Sequence, residues 1–241
     1  MKRIALSAAT LTLAVLAGTA SAMTLMPIKL KCPIGGESFT ATLAMSGTQF
    51  GQNLDRRPVG AIAAPWPMAK CPTNGFVLFK EKFTAAEIKT LQPFVLSPEY
   101  QALQKTESNY FLISRLMEKL GASSSDIASA LLRATWEVEK TPRYQRYASA
   151  ALDAFEAALA GNSKMSSEER ASYEQIAGEL ERRLGRFDAA RTRLMALAAM
   201  PSVQGTPLEQ VVQQELVLIA QRDVETHLAK VDDEKNSSGK H

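Results

Sequence analysis

Near residue 83 the hydrophobic pattern of this 241-residue chain switches from short alternation to long helical spacing, and no one regular architecture accommodates both parts. From Met23 to Phe83 lie six of the eleven prolines and six of the thirteen glycines. The apolar or alternating runs Ile28–Lys31, Ser38–Ala44 and Phe76–Phe79 read as strands of a small β-ribbon with turns. The stretch from Val59 to Met68 is apolar but interrupted by Gly60, Pro65 and Pro67, so a packed loop is expected there.

From Thr84 onward the signals are helical. Thr84 with Glu87, Ser166 with Glu169 and Thr206 with Glu209 have capping-box spacing, in which hydroxyl and carboxylate each satisfy a free backbone donor. Ser97-Pro98, Thr141-Pro142 and Thr206-Pro207 set a capping hydroxyl before a proline suited to the first helical turn. Apolar stripes follow at helical spacing: Tyr110, Ile113, Leu116, Met117 and Leu120, then Ile127, Ala130, Leu131, Ala134 and Val138, then Tyr144, Tyr147, Ala151, Phe155 and Leu159. A last helix is expected over about 207–229. Gly178, Gly185, Phe187, Ala190, Leu194 and Pro201 fall close to tetratricopeptide-repeat positions, as an ordinary antiparallel hairpin could also do.

The N-terminus has the three parts of an export signal: the positive Lys2-Arg3, an apolar stretch from Ile4 to Ala17, and the small residues Ala20-Ser21-Ala22 of a cleavage box. The apolar run is short of the roughly 20 residues a membrane span requires. Cleavage after Ala22 would leave 26 basic against 25 acidic residues, too even a balance to attract nucleic acid or anionic membrane. The expected address is the periplasm or the medium, with no membrane insertion after cleavage. Two cysteines, Cys32 and Cys71, in an oxidising compartment predict one disulfide.

Those cysteines open two matching motifs, Cys32-Pro33-Ile34-Gly35-Gly36 and Cys71-Pro72-Thr73-Asn74-Gly75. Zinc ribbons use C-P-x-C-G, where proline and glycine bend the backbone so that two thiolates converge on a metal. Here Gly35 and Asn74 occupy the positions of the second thiolates. On these motifs, on Phe50-Gly51 with Asp55-Arg56-Arg57, and on Ile127–Glu139, the chain resembles the bacterial domain-of-unknown-function family 2225. That resemblance implies two knuckles joined to a tetratricopeptide-like helical tail, and it implies no activity. The loss of ligands at Gly35 and Asn74 removes the basis for inferring metal binding. A metal completed by Glu37, Asp55 or Asn74, and a redox pair, are the weaker readings of Cys32 and Cys71. A bridge closing about 40 residues would stabilise by roughly 4 kcal/mol.

No G-x-G-x-x-G or P-loop occurs. His241 lies in a polar tail, and His227 is expected near the end of the last helix, where a cation suits the dipole. Arg182, Arg183, Arg186, Arg191 and Arg193, interleaved with Glu179, Glu181 and Asp188, read as a salt-bridged face. Trp66 and Trp136 are expected in the core rather than in a ligand groove.

The expected architecture is α+β, mainly α: a signal peptide over 1–22, a degenerate zinc-ribbon-like β domain over 23–83, a tetratricopeptide-like α-helical domain over 84–230 and a disordered tail over 231–241. The functional expectation is an exported, non-enzymatic protein-binding or scaffold protein that uses no cofactor and engages a protein or peptide, not nucleic acid. Its oligomeric state is left open. The helices from Tyr144 to Leu197, with Tyr144, Tyr147, Arg186 and Arg193, are the expected partner-binding face. The alternative is an envelope hydrolase or redox enzyme with a site assembled only in the fold.

Overall fold

The computed structural model describes residues 23–161 and 165–231. The expected signal peptide and the polar tail beyond Val231 lie outside the described residues. The chain is α+β: three two-stranded antiparallel sheets precede eight helices among the described residues.

Strands β1 (Thr24–Lys31) and β2 (Ser38–Ser46) form the first hairpin, with Leu30 opposite Phe39 and Lys31 opposite Ser38. Its turn is the first C-P-x-x-G motif. Strands β3 (Thr48–Gln52) and β4 (Pro58–Ala61) pair next, so the start of the expected loop is strand. Strands β5 (Ala69–Lys70) and β6 (Val77–Leu78) flank the second motif. The two turns repeat one hydrogen-bonding pattern. Cys32 N–H donates to the Glu37 carbonyl and Gly36 N–H to the Cys32 carbonyl, as Cys71 does to Phe76 and Gly75 to Cys71. The closing glycines have the same left-handed conformation, φ 74° at Gly36 and 73° at Gly75.

The helices are α1 (Ala85–Val95), α2 (Pro98–Thr106), α3 (Asn109–Lys119), α4 (Ser124–Val138), α5 (Tyr144–Gly161), α6 (Ser167–Arg183), α7 (Phe187–Ala198) and α8 (Pro207–Ala220). Thr84 and Glu87 complete the expected capping box, and Ser97 and Ser166 accept the backbone N–H groups of Tyr100 and Glu169. At α8 the box does not form: the Glu209 carboxylate accepts the Gly205 N–H instead, and the Thr206 hydroxyl donates to the Val203 carbonyl. Ser108 and Ser123 cap α3 and α4.

Helix α8 also stops well short of residue 229. Arg222 takes a left-handed φ of 54°, while Arg222 N–H and Asp223 N–H bond back to the Ile219 and Leu218 carbonyls. This is a Schellman ending with arginine where glycine is usual. The chain then returns as an extended segment beside β3, with Ala229 N–H to the Gln52 carbonyl and Leu54 N–H to the His227 carbonyl. His227 therefore sits on this return segment, its Nε2 2.9 Å from Asp223 Oδ2, and not on a helix.

The largest core joins Cys32, Ile34, Cys71, Phe76 and Val77 of the ribbon to apolar residues of α1, α3, α4, α5 and α6. A second core between α7 and α8 is built on Phe187, Leu194, Val203 and Ile219. No described helix is long and apolar enough to cross a membrane.

Candidate ligand groove and the polar cluster behind it

Cys32 and Cys71 are joined in a disulfide with a Cα–Cα separation of 5.7 Å, and both are buried. Asn74 donates from Nδ2 to the Ile34 carbonyl (2.7 Å) and accepts Phe76 N–H (2.9 Å), tying one turn to the other. Glu37 is the carboxylate near the sulfurs. It accepts the backbone N–H of Thr73 at 3.1 Å and the Thr73 hydroxyl. Asp55 does not join this group, and accepts the Arg57 N–H at 3.1 Å. The expected metal candidates thus make turn contacts, and the sulfurs are used in the bridge. Helix α2 holds the second turn through Tyr100 Oη to the Gly75 carbonyl (2.9 Å) and Gln101 Nε2 to the Asn74 carbonyl (2.8 Å). The left-handed φ of 73° is what calls for glycine at position 75; a Cβ there would in addition displace the Gln104 side chain, 2.6 Å away.

The expected partner-binding residues are not brought together on one surface. Tyr147 is fully buried, with its hydroxyl 2.6 Å from Glu107 Oε2, and Tyr144 is also buried beneath the Arg183 guanidinium. A partner cannot reach these rings, because they face inward from the apolar stripe of α5. Arg186 is exposed and contacts Ser149. Arg193 does line a cleft of about 600 Å³ between α6 and α7. Three carboxylates already hold it: Glu174 (2.5 Å), Glu181 (3.1 Å) and Glu156.

The expected salt-bridged face is partly interior. Arg182 is fully buried, pairing with both oxygens of Glu179 at 2.7 and 2.8 Å and donating to the Asp223 and Glu225 carbonyls of the return segment. Gln175, also buried, donates to the Leu54 carbonyl (2.9 Å) and to Glu215 Oε1 (2.6 Å), and accepts from Arg56 Nε (2.8 Å). Glu215 is buried with Oε2 unpartnered. Burial pushes its carboxyl well above the ordinary value, and the neighbouring Glu179 pushes in the same direction. Desolvation likewise raises Glu179 and Asp55. These groups fasten the β3–β4 hairpin and the return segment to α6 and α8, and line none of the clefts described here.

On the other side of Arg56 a groove opens between the Ile62–Met68 loop and the helices. Its inner lobe, about 320 Å³, is walled by Arg56, Trp66, Arg133, Trp136, Phe155 and Tyr173. The outer lobe, about 360 Å³, lies among Trp66, Met68, Phe79, Tyr110, Met117 and Arg133. Trp66, Ser129 and Arg133 are common to both. Both tryptophans of the chain therefore face this groove, and Trp66 is 38 % exposed instead of belonging to the core. Pro65 and Pro67 stiffen the backbone on either side of Trp66, and the Tyr110 hydroxyl anchors its carbonyl at 3.1 Å. The sequence signal was the P-W-P spacing itself, which removes backbone donors and disfavours burial within regular structure.

Fold and groove together define an α+β protein with a disulfide-clamped ribbon and a preformed aromatic groove. Comparison with protein families, curated proteins and solved structures returns no match.

Proposed function

We propose that this chain is an exported, non-enzymatic binding protein that holds a peptide in the groove beside Trp66. The observation carrying this reading is the concentration of both tryptophans on one preformed, two-lobed groove of the size that small ligands and side chains occupy. The carboxylates whose proton affinity burial raises, Asp55, Glu137, Glu179 and Glu215, line neither lobe of the groove, which favours a binder over an envelope hydrolase. A bridge between two buried cysteines with no C-x-x-C spacing favours a structural clamp over a redox centre.

The disulfide and the expected leader together support export. In this reading the chain is a degenerate relative of the two-knuckle family, with a disulfide where that family holds metal. The common backbone pattern of the two turns, with Gly35 and Asn74 at the lost ligand positions, supports it.

Panning a displayed random-hexapeptide library on the full chain tests the binding role. Enriched peptides should lose binding to Trp66→Ala, a substitution at a partly exposed loop position. Enrichment that is indifferent to Trp66→Ala would overturn the groove. For export, the protein recovered from the envelope should begin at Met23 and resist thiol alkylation until reduced. Retention of the intact chain in the cytosol with free thiols would contradict it.

A further inference from the structure

Three donors around the inner lobe have hydrogen-bonding capacity left over. The indole N–H of Trp136 is buried without a partner, and an indole nitrogen can only donate. Arg133 donates from Nη1 to the Ser129 carbonyl of its own helix at 3.0 Å, and no carboxylate among the described residues forms an ion pair with it. Arg56 uses Nε on Gln175 and is likewise without an ion-pair partner among the described residues. Arg57, Arg182, Arg183 and Arg193, which face away from the groove or into the interior cluster, are all paired with carboxylates. The acidic residue of the outer lobe, Asp126, accepts the Ser123 hydroxyl at 2.7 Å as part of the α4 cap. The inner lobe thus combines aromatic walls with unused positive donors at its edge.

Resting on the reading of the groove as a peptide site, we infer that it captures the free C-terminus of a peptide. The terminal carboxylate meets Arg133, Arg56 and the Trp136 N–H, and the last side chain, apolar, fills the inner lobe. The residue two before it fills the outer lobe. The lobes are displaced along α4: Asp126 and Ala130 belong to the outer, Leu132 and Trp136 to the inner, a shift of about one to two helical turns. An extended peptide sends side chains i and i+2 to the same side about 7 Å apart, which spans that shift. A carboxylate, unlike a side-chain amide or a hydroxyl, offers acceptors only, and arginine is the side chain best shaped to receive it.

The test compares acetyl-Phe-Gly-Phe with a free carboxylate against its C-terminal amide, titrated onto the full chain. Calorimetry and intrinsic fluorescence, which reports on the groove through both tryptophans, are the readouts. The acid should bind roughly tenfold or more tightly than the amide, the difference expected for charged hydrogen bonds. In Arg133→Gln, at an exposed position, the preference for acid over amide should fall to about twofold, read as the ratio of the two affinities so that any change common to both peptides cancels. Equal binding of acid and amide would overturn the carboxylate assignment and leave the groove standing as a peptide site. Absence of binding by either peptide, with unmoved fluorescence, would overturn both.

Discussion

Arg182 and Glu179 are oppositely charged groups removed from water: Glu179 accepts from Arg182, and Arg182 donates in addition to the Asp223 and Glu225 carbonyls of the return segment, with the Asp223 carboxylate 3.7 Å away. Replacing such a pair with apolar residues can be neutral, but deleting one partner strands the other. Arg182→Ala should therefore destabilise by about 3–5 kcal/mol in urea denaturation, since Glu179 would be left buried and uncompensated. Glu215 makes a different prediction. Its folded-state proton affinity is raised, so above the ordinary carboxyl value of 4.5 the folded chain binds more protons than the unfolded one. Stability is then fully present below that pH and declines as pH rises through the raised folded value. The urea midpoint should fall as pH rises above about 4.5, and Glu215→Gln should flatten that slope. An equal slope in wild type and variant would assign the pH dependence to other groups. Of these residues, the arginine-rich stretch was legible as a paired face, but its direction was not. Arg182 and Arg193 lie eleven positions apart on neighbouring helices, and only docking of the return segment turns the first inward while the second stays at the surface.

Elements formed where local signals agreed. The boxes and caps at Thr84, Ser97 and Ser166 act within four residues and are independent of anything distant. At Thr206 the same signal lost to a competing turn bond from Gly205, and α8 ended early because the return segment gains sheet-like bonds with β3. The helical hairpin of α6 and α7 shows how a small residue sets the approach of two elements. A Cβ on Gly178 would lie 2.7 Å from Leu194, whose side chain is fully buried and has no room to yield. Gly178→Ala should cost about 1–3 kcal/mol by overpacking, despite alanine's better helix propensity. Gly161→Ala, where the new methyl meets nothing within 4 Å, should be neutral or stabilising by up to about 1 kcal/mol. Thermal melts by circular dichroism separate the two, and equal shifts would remove the contact argument.

At the scale of the molecule the ribbon and the helices share their largest core, with Cys32, Ile34, Cys71 and Phe76 packed among α1 to α6. Denaturation followed by tryptophan fluorescence, which samples the loop through Trp66 and α4 through Trp136, should coincide with loss of helical dichroism in one transition. Separate transitions would show that the ribbon melts on its own. Cys32→Ser should lower stability by roughly 4 kcal/mol, the loop-closure entropy returned to the unfolded chain across a separation of 39 residues. The sequence by itself determined the switch from ribbon to helix near residue 83, the two C-P-x-x-G turns, the disulfide and most helix starts. Each depends on turn chemistry, caps or periodicity over a few residues, or on a cysteine count that admits one intramolecular pairing. Tertiary structure alone decided the groove and the interior charge cluster. Arg56 and Trp66 meet Trp136 and Tyr173, and Gln175 meets Leu54 across 121 positions, only after the hairpin has docked on α6. Whether an arginine ends in a salt bridge, in the interior or unpaired beside a tryptophan depends on neighbours that no local pattern specifies.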